Sequence, residues 1–71
     1  MEGKTEFVIF CIENLAAKTG MDPREIYRLL AEQTDLLTGY ILPCYEVLHT
    51  QGKEYILEDL LEVLQEKGVT I

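Results

Sequence analysis

The segment at residues 20–33, "GMDPREIYRLLAEQ", contains the strongest secondary-structure signals of the chain. Asp22 stands where a helix N-cap is expected, Pro23 suits the first helical position, and Glu25 suits the third, which together make a capping-box pattern. We therefore predict a helix that runs from Pro23 to about Gln33. The side chains that this helix should turn toward the core are Ile26, Tyr27, Leu29 and Leu30.

An apolar segment upstream predicts a helix from about Thr5 to Lys18. Phe7, Cys11 and Leu15 repeat at intervals of four residues, which places them on one face of a helix. A second row follows one step on, at Val8, Ile12 and Ala16. Gly20 should end this helix, because glycine adopts a positive φ at low cost.

Downstream, residues 34–50 ("TDLLTGYILPCYEVLHT") are harder to assign. Pro43 has no backbone N–H to donate and disfavours helix at Leu42. We expect a short turn or helix near Asp35–Gly39. A third helix should then run to about His49, either kinked near Pro43 or starting afresh there.

The last helix is predicted from "YILEDLLEVLQEKG" and should end at Lys67 and Gly68. Its apolar row consists of Ile56, Leu60, Val63 and Leu64. Its beginning is open, since "KEYIL" at 53–57 can be helical or extended. The fold class expected for residues 1–71 is all-α, a compact bundle of about four short helices in a single small domain.

The chain is acidic, with 13 acidic residues against 6 basic residues and a formal net charge of −7. This balance disfavours nucleic acids and anionic membrane surfaces as partners. An acidic surface instead suits a basic patch on a protein partner. The longest apolar run, "FVIFCI", has six residues and is too short for a signal peptide or a membrane span, so we expect a cytoplasmic protein.

The cysteines and the single histidine predict no metal site and no cofactor. Cys11 and Cys44 lie 33 residues apart without a Cys-x-x-Cys pair, and a zinc site needs more ligands than these residues and His49 supply. We favour buried, reduced thiols over a disulfide.

His49 has two interpretations. It can act as a general base or metal ligand, or it can end a helix, where positive charge suits the helix dipole. Cys44 lies five residues earlier and points about 140° away on an ideal helix, which is poor geometry for a Cys–His nucleophile pair. The turn that follows, with Thr50, Gly52 and Tyr55, remains a candidate for recognition.

Four glutamates form one row along the last helix, because Glu54, Glu58, Glu62 and Glu66 are each four residues apart. Like charges at this spacing destabilise a helix by a few tenths of a kcal/mol per pair. The row is either a solvated face or a docking surface for a basic protein.

The first helix is apolar nearly all the way round at residues 7–12. Ile9 and Phe10 lie outside its main apolar stripe. Either this helix is central and covered on all sides, or Phe10 is exposed and contributes to a partner or dimer surface. The sequence leaves both alternatives open.

The segments "FVIFCIENLA" and "CYEVLHTQGKEYILEDLLEVLQEKG" resemble a bacterial family of small proteins known as a domain of unknown function, number 3791. The moderately specific part is the cluster Leu48-His49-Thr50 and Gly52, which is preceded by Tyr45 and followed by Tyr55, Ile56 and Asp59. The resemblance covers nearly the whole chain. It implies a bacterial origin and no established activity. Relatives are often encoded beside a family that resembles ADP-ribosyltransferase-type toxins, which implies an antitoxin-like or accessory role.

These observations favour a non-enzymatic, acidic helical module that binds a protein partner through the glutamate row and Phe10. The first alternative is a small-ligand or catalytic site around His49, Thr50 and Tyr55. The second alternative is a homodimer whose function is assembly itself.

Overall fold

Four α-helices and two π-helical segments make up the part of the chain that a computed structural model describes, residues 3–70. The α-helices are α1 (Gly3–Thr19), α2 (Pro23–Arg28), α3 (Tyr45–Leu48) and α4 (Lys53–Glu66). The first π-helical segment, Leu29–Gln33, continues α2 directly, and the second, Leu37–Ile41, precedes α3. In α4 the segment "KEYIL" is helical, which decides the question that the sequence left open.

Two glycines end helices as predicted. Gly20 follows α1 with φ +78°, and Gly68 follows α4 with φ +87°. Both values lie in the left-handed region, where a side chain would strain the backbone. The N–H of Gly20 donates to the carbonyl of Ala16 at 2.8 Å, which completes the last turn of α1.

The start of α2 confirms Asp22 as its N-cap. The Asp22 carboxylate accepts a hydrogen bond from the backbone N–H of Arg24 at 2.8 Å. The N–H of Glu25 donates to the backbone carbonyl of Asp22 at 2.9 Å. The Asp22 carboxylate therefore accepts from the N–H of the second helical residue. In a capping box it would accept from the N–H of the third.

The π-helical segments are a feature that the sequence analysis did not predict. The N–H of Thr34 donates to the Leu29 carbonyl at 3.0 Å, and the N–H of Leu42 donates to the Leu37 carbonyl at 3.0 Å. Each bond reaches back five residues, which inserts one extra residue into the turn. Asp35 lies between the segments with φ +61°, an uncommon value for a residue other than glycine.

Pro43 interrupts the helical path, and α3 starts afresh at Tyr45, which was one of the two predicted outcomes. Leu42 nevertheless has helical dihedral angles, φ −68° and ψ −45°, so the expectation that it avoids helix was wrong. The wide turn just before Pro43 gives the proline ring room that a regular α-helix lacks.

The core is built around α1, which packs against both α2 and α4. The fully buried side chains of the core come from α1, α2, α4 and both π-helical segments: Cys11, Leu15, Ile26, Leu30, Ile41, Leu60 and Leu64. Tyr27 was expected to face inward, but 46% of its surface is exposed. The reason is that Ile26, Leu29 and Leu30 already fill the inner face, and Tyr27 points to the opposite side.

Helical residues make up 76% of the described chain and no strand occurs there, which confirms the all-α class. The Cα radius of gyration is 11.0 Å. A compact chain of this length is expected to have a radius of about 11 Å. Within residues 3–70 no helix combines the length and the apolar character that crossing a membrane requires.

Candidate functional site

The acidic face of α4 consists of Glu54, Glu58, Glu62 and Glu66, and all four residues are exposed. Glu54 lies near the end of α1, where its carboxylate is 3.7 Å from the Lys18 ammonium. Among residues 3–70, the other three glutamates have no cationic group within 4.0 Å. The structure thus brings the predicted row together and leaves most of it without a cation from the chain itself.

A shallow groove of roughly 430 Å³ runs beside this face. Its lining combines carboxylates, polar groups and apolar groups from α4 and the following segment: Glu58, Leu61, Glu62, Gln65, Val69 and Thr70. The N–H of Val69 donates to the carbonyl of Leu64 at 2.9 Å, which folds the segment after α4 back onto the helix. Leu61 and Val69 are half-buried against the core and give the groove apolar surface. We call these lining residues the α4 groove.

The exposure of Phe10 is intermediate between the two alternatives that the sequence allowed, full burial and full exposure. It is half-buried, and its ring is stacked on that of Phe7 with centroids 6.1 Å apart. Ile9 is the exposed large apolar residue of α1, at 48%. Helix α1 is therefore covered over most but not all of its circumference, and a contact between Phe10 and a partner stays a prediction.

An aromatic row connects α1 to the end of α3. The Phe7 ring meets the edge of Tyr45 at a centroid distance of 5.5 Å. The Tyr45 ring stacks on the His49 imidazole at 4.4 Å. The Nδ1 atom of His49 lies 2.8 Å from the Tyr45 carbonyl oxygen. A carbonyl can only accept, so Nδ1 carries the proton of this hydrogen bond. These contacts place His49 at the C-cap of α3, as the helix-end interpretation predicts.

In the turn after α3, the Thr50 side chain forms its hydrogen bond with the end of that helix. The Thr50 hydroxyl donates to the Val47 carbonyl at 2.8 Å. Gly52 is the N-cap of α4 with φ −71° and ψ 160°, values that other residues also adopt. Tyr55 lies on the first turns of α4 and is 55% exposed. The structure thus brings His49, Thr50, Gly52 and Tyr55 together where α3 connects to α4, a segment that we call the α3–α4 joint. The side chains of His49 and Thr50 already form hydrogen bonds with backbone carbonyls.

The contact between Tyr40 and Asp59 was missed from the sequence. The Tyr40 hydroxyl donates to the Asp59 carboxylate at 2.5 Å and joins the second π-helical segment to α4. The pKa of Tyr40 lies well above its ordinary value of 10.0. The hydrogen bond to Asp59 is the larger cause and burial of the phenol is the second. Tyr40 lies 19 residues before Asp59, and no local pattern links the two positions.

The two cysteines are free thiols. Cys11 is completely buried, and burial raises the pKa of its thiol to about 12. Cys44 is only half-buried, which corrects the prediction that both thiols lie in the interior. Among residues 3–70, no three His, Cys, Asp or Glu side chains are grouped so that they could hold a metal ion.

Comparison with known proteins gives a family for this chain. A family model described as "Protein of unknown function (DUF3791)" matches residues 6–67. The searches of curated proteins and of solved structures found no match. The matched segment begins near the start of α1 and ends just after α4, so it includes the aromatic row, the α3–α4 joint and most of the α4 groove. The chain therefore belongs to the DUF3791 family.

Proposed function

We propose that this protein is a non-enzymatic interaction module that docks a basic, amphipathic segment of a partner protein in the α4 groove. The observation that carries the proposal is the arrangement of Glu58 and Glu62 beside Leu61 and Val69. The two carboxylates are exposed and have no cation from residues 3–70 within 4.0 Å, and the apolar groups lie next to them. A helix with Lys or Arg on one edge and apolar side chains on the other complements this surface.

The energetics of α4 support an external cationic partner. Each pair of glutamates four residues apart costs the isolated helix a few tenths of a kcal/mol. Within residues 3–70 an ion pair relieves this repulsion only at Glu54, through an exposed and weak contact with Lys18. A basic partner would relieve it at Glu58 and Glu62. The net charge of −7 would also attract such a partner over a longer range and raise the association rate.

The family resemblance suggests where the partner is encoded. Relatives often have a neighbouring gene whose product resembles an ADP-ribosyltransferase-type toxin, so an antitoxin-like or accessory role in a bacterial cytoplasm is the specific form of the proposal. The free thiols Cys11 and Cys44 support a reducing compartment.

A ligand-binding or catalytic role for His49, Thr50 and Tyr55 has less support. The Nδ1 of His49 and the hydroxyl of Thr50 already bond to backbone carbonyls of the same short helix. Such bonds are expected at a helix end and need no ligand to explain them.

The test is the double substitution Glu58→Lys and Glu62→Lys. We expect it to abolish co-purification with the product of the adjacent gene. We also expect it to remove the chemical-shift changes that a basic amphipathic peptide causes at Leu61 and Val69 in an NMR titration. The variant should fold at least as well as the wild type, because each new lysine lies four residues from a remaining glutamate, Glu54 or Glu66.

The double substitution Glu13→Lys and Glu46→Lys is the matched control, since both glutamates are exposed and lie outside the α4 groove. It should leave binding nearly unchanged. If the variant with Glu58→Lys and Glu62→Lys binds the partner and the peptide as the wild type does, the α4 groove is not the docking surface.

A further inference from the structure

The outer face of α2 forms a second surface groove of roughly 350 Å³. It is lined by five exposed residues, Pro23, Arg24, Tyr27, Arg28 and Glu32. None of them lines the α4 groove. We call this set the α2 face.

The residue types on the α2 face are those that dominate the energetics of protein interfaces. Tyr and Arg are enriched among the side chains whose truncation costs most binding energy. Tyr27 is 46% exposed. A partner that covered its ring would bury a large apolar area. Arg24 and Arg28 flank it in the sequence and account for both arginines of the chain.

The charges on the α2 face are ordered along the helix. Arg24 lies at its N-terminal end and Glu32 at its C-terminal end, within the first π-helical segment. When two such faces meet antiparallel, the basic end of each lies opposite the acidic end of the other. The two ends of the face are therefore complementary to each other under a two-fold rotation, the commonest symmetry of homo-oligomers, and Arg28 lies midway between them near the axis.

We propose that the α2 face binds a second copy of this chain in an antiparallel dimer. Arg24 of each copy pairs with Glu32 of the other, and Arg28 of one copy packs on the Tyr27 ring of the other as a cation–π contact. Arg24 already bonds to Asp22 at 3.2 Å through two of its nitrogens. A guanidinium has five N–H donors, so this bond leaves donors for a second carboxylate.

The dimer should be weak and should depend on concentration, because each copy contributes only one short helix to the contact. The net charge of −7 on each copy opposes association. At physiological ionic strength the screening length is about 8 Å, so direct contacts across the face outweigh the repulsion between more distant charges. A domain of this size also gains stability from self-association, because its own core is small.

The test uses two variants with opposite charge reversals and measures mass by sedimentation velocity at several concentrations in physiological salt. The Arg24→Glu chain alone places acid against acid at both ends of the dimer and should be monomeric. The Glu32→Lys chain alone places base against base and should also be monomeric. An equimolar mixture places opposite charges at both ends, with the same total charge as the wild-type dimer, and should recover the dimer.

Tyr27→Ala checks the aromatic contact separately. It should weaken self-association while leaving the helical circular dichroism spectrum unchanged, because Tyr27 is exposed. It should also bind the basic peptide in the α4 groove as the wild type does, which separates this inference from the proposed function. A wild type that stays monomeric at every concentration overturns the inference. So does a mixture of the two charge variants that stays monomeric while the wild type dimerises.

Discussion

At the scale of single residues, the hydrogen bond between Tyr40 and Asp59 is the most informative contact of the chain. Both residues are half-buried, and the bond joins the second π-helical segment to α4. Its acceptor is a carboxylate, and charge-assisted hydrogen bonds are shorter and stronger than neutral ones. The bond therefore helps to fix the segment around Pro43 on the rest of the domain.

Tyr40→Phe should lower the free energy of unfolding by about 1 kcal/mol, which is less than a typical bond to a charged group contributes because water can reach both partners. Below pH 10.0, the ordinary pKa of the phenol, this contribution is fully present. It is lost as the pH rises toward the higher pKa of the folded state, because the unfolded chain releases the proton first. Urea unfolding at about pH 8 and about pH 11 should show the difference between the two proteins shrinking.

Tyr55→Phe is the matched control, since Tyr55 is exposed and lies one turn before Asp59. It should change the free energy of unfolding little at either pH. An unchanged stability of Tyr40→Phe at about pH 8 would contradict the role given to the bond.

The cysteines differ in their environment, and their reactivity should differ accordingly. The thiolate is the reactive form, and burial both raises the pKa of Cys11 to about 12 and blocks access to it. A chromogenic disulfide reagent should modify Cys44 first in the native protein and reach Cys11 only as the protein unfolds. Cys44→Ser should then remove the fast phase. A fast phase that persists in this variant would place Cys11 within reach of solvent.

At the scale of elements, the start of α2 shows how a local signal becomes a stabilising contact. The pKa of the Asp22 carboxyl lies below its ordinary value, chiefly because Arg24 donates to it from both its side chain and its backbone. A lowered pKa means that the folded state favours the charged form. The resulting stability is present above the ordinary value of 3.8 and is lost as the pH falls below it.

Asp22→Asn should reduce this acid sensitivity. The asparagine oxygen can still cap Arg24, so the helix start should survive, but the charge that responds to pH is gone. We expect the melting temperature of the wild type to fall more than that of the variant between about pH 7 and about pH 2. Equal losses in the two proteins would mean that other carboxyl groups account for the acid response.

The helix ends and the glutamate row could be predicted because they depend on neighbouring residues. Asp22 and Pro23 begin a helix, and Gly20 and Gly68 end one, through backbone properties that are readable in the sequence. The π-helical segments could not be predicted in the same way. A single extra residue in a turn follows from how the segment packs, and it leaves only a small disturbance in the spacing of apolar residues.

At the scale of the whole molecule, tertiary contacts determine what the sequence could not show. Spacing alone put Glu54, Glu58, Glu62 and Glu66 on one face, but the α4 groove also needs Val69, which folds back beyond the end of the helix. The inward position assigned to Tyr27 was wrong because a helix of this small domain has a narrow buried face. The Tyr40–Asp59 bond joins residues that are distant in sequence.

The arrangement of the domain gives it two chemically different surfaces. Helix α1 packs against both α2 and α4, so each of these helices keeps its outer side for other contacts. The α4 groove is acidic and suits a basic partner. The α2 face has both signs of charge and suits its own copy. The proposed dimer would present two α4 grooves, which would strengthen binding to a partner with repeated basic segments.

The Tyr40–Asp59 contact also has a spectroscopic consequence. The chain has four tyrosines and no tryptophan, so its ultraviolet emission comes from tyrosine alone. A phenol becomes much more acidic when it absorbs light, and a carboxylate that already accepts its hydrogen bond can take the proton and quench the emission. We therefore expect Tyr40 to emit weakly in the folded state and more strongly when α4 separates from the second π-helical segment. A rise in tyrosine emission should therefore report that separation without an added dye.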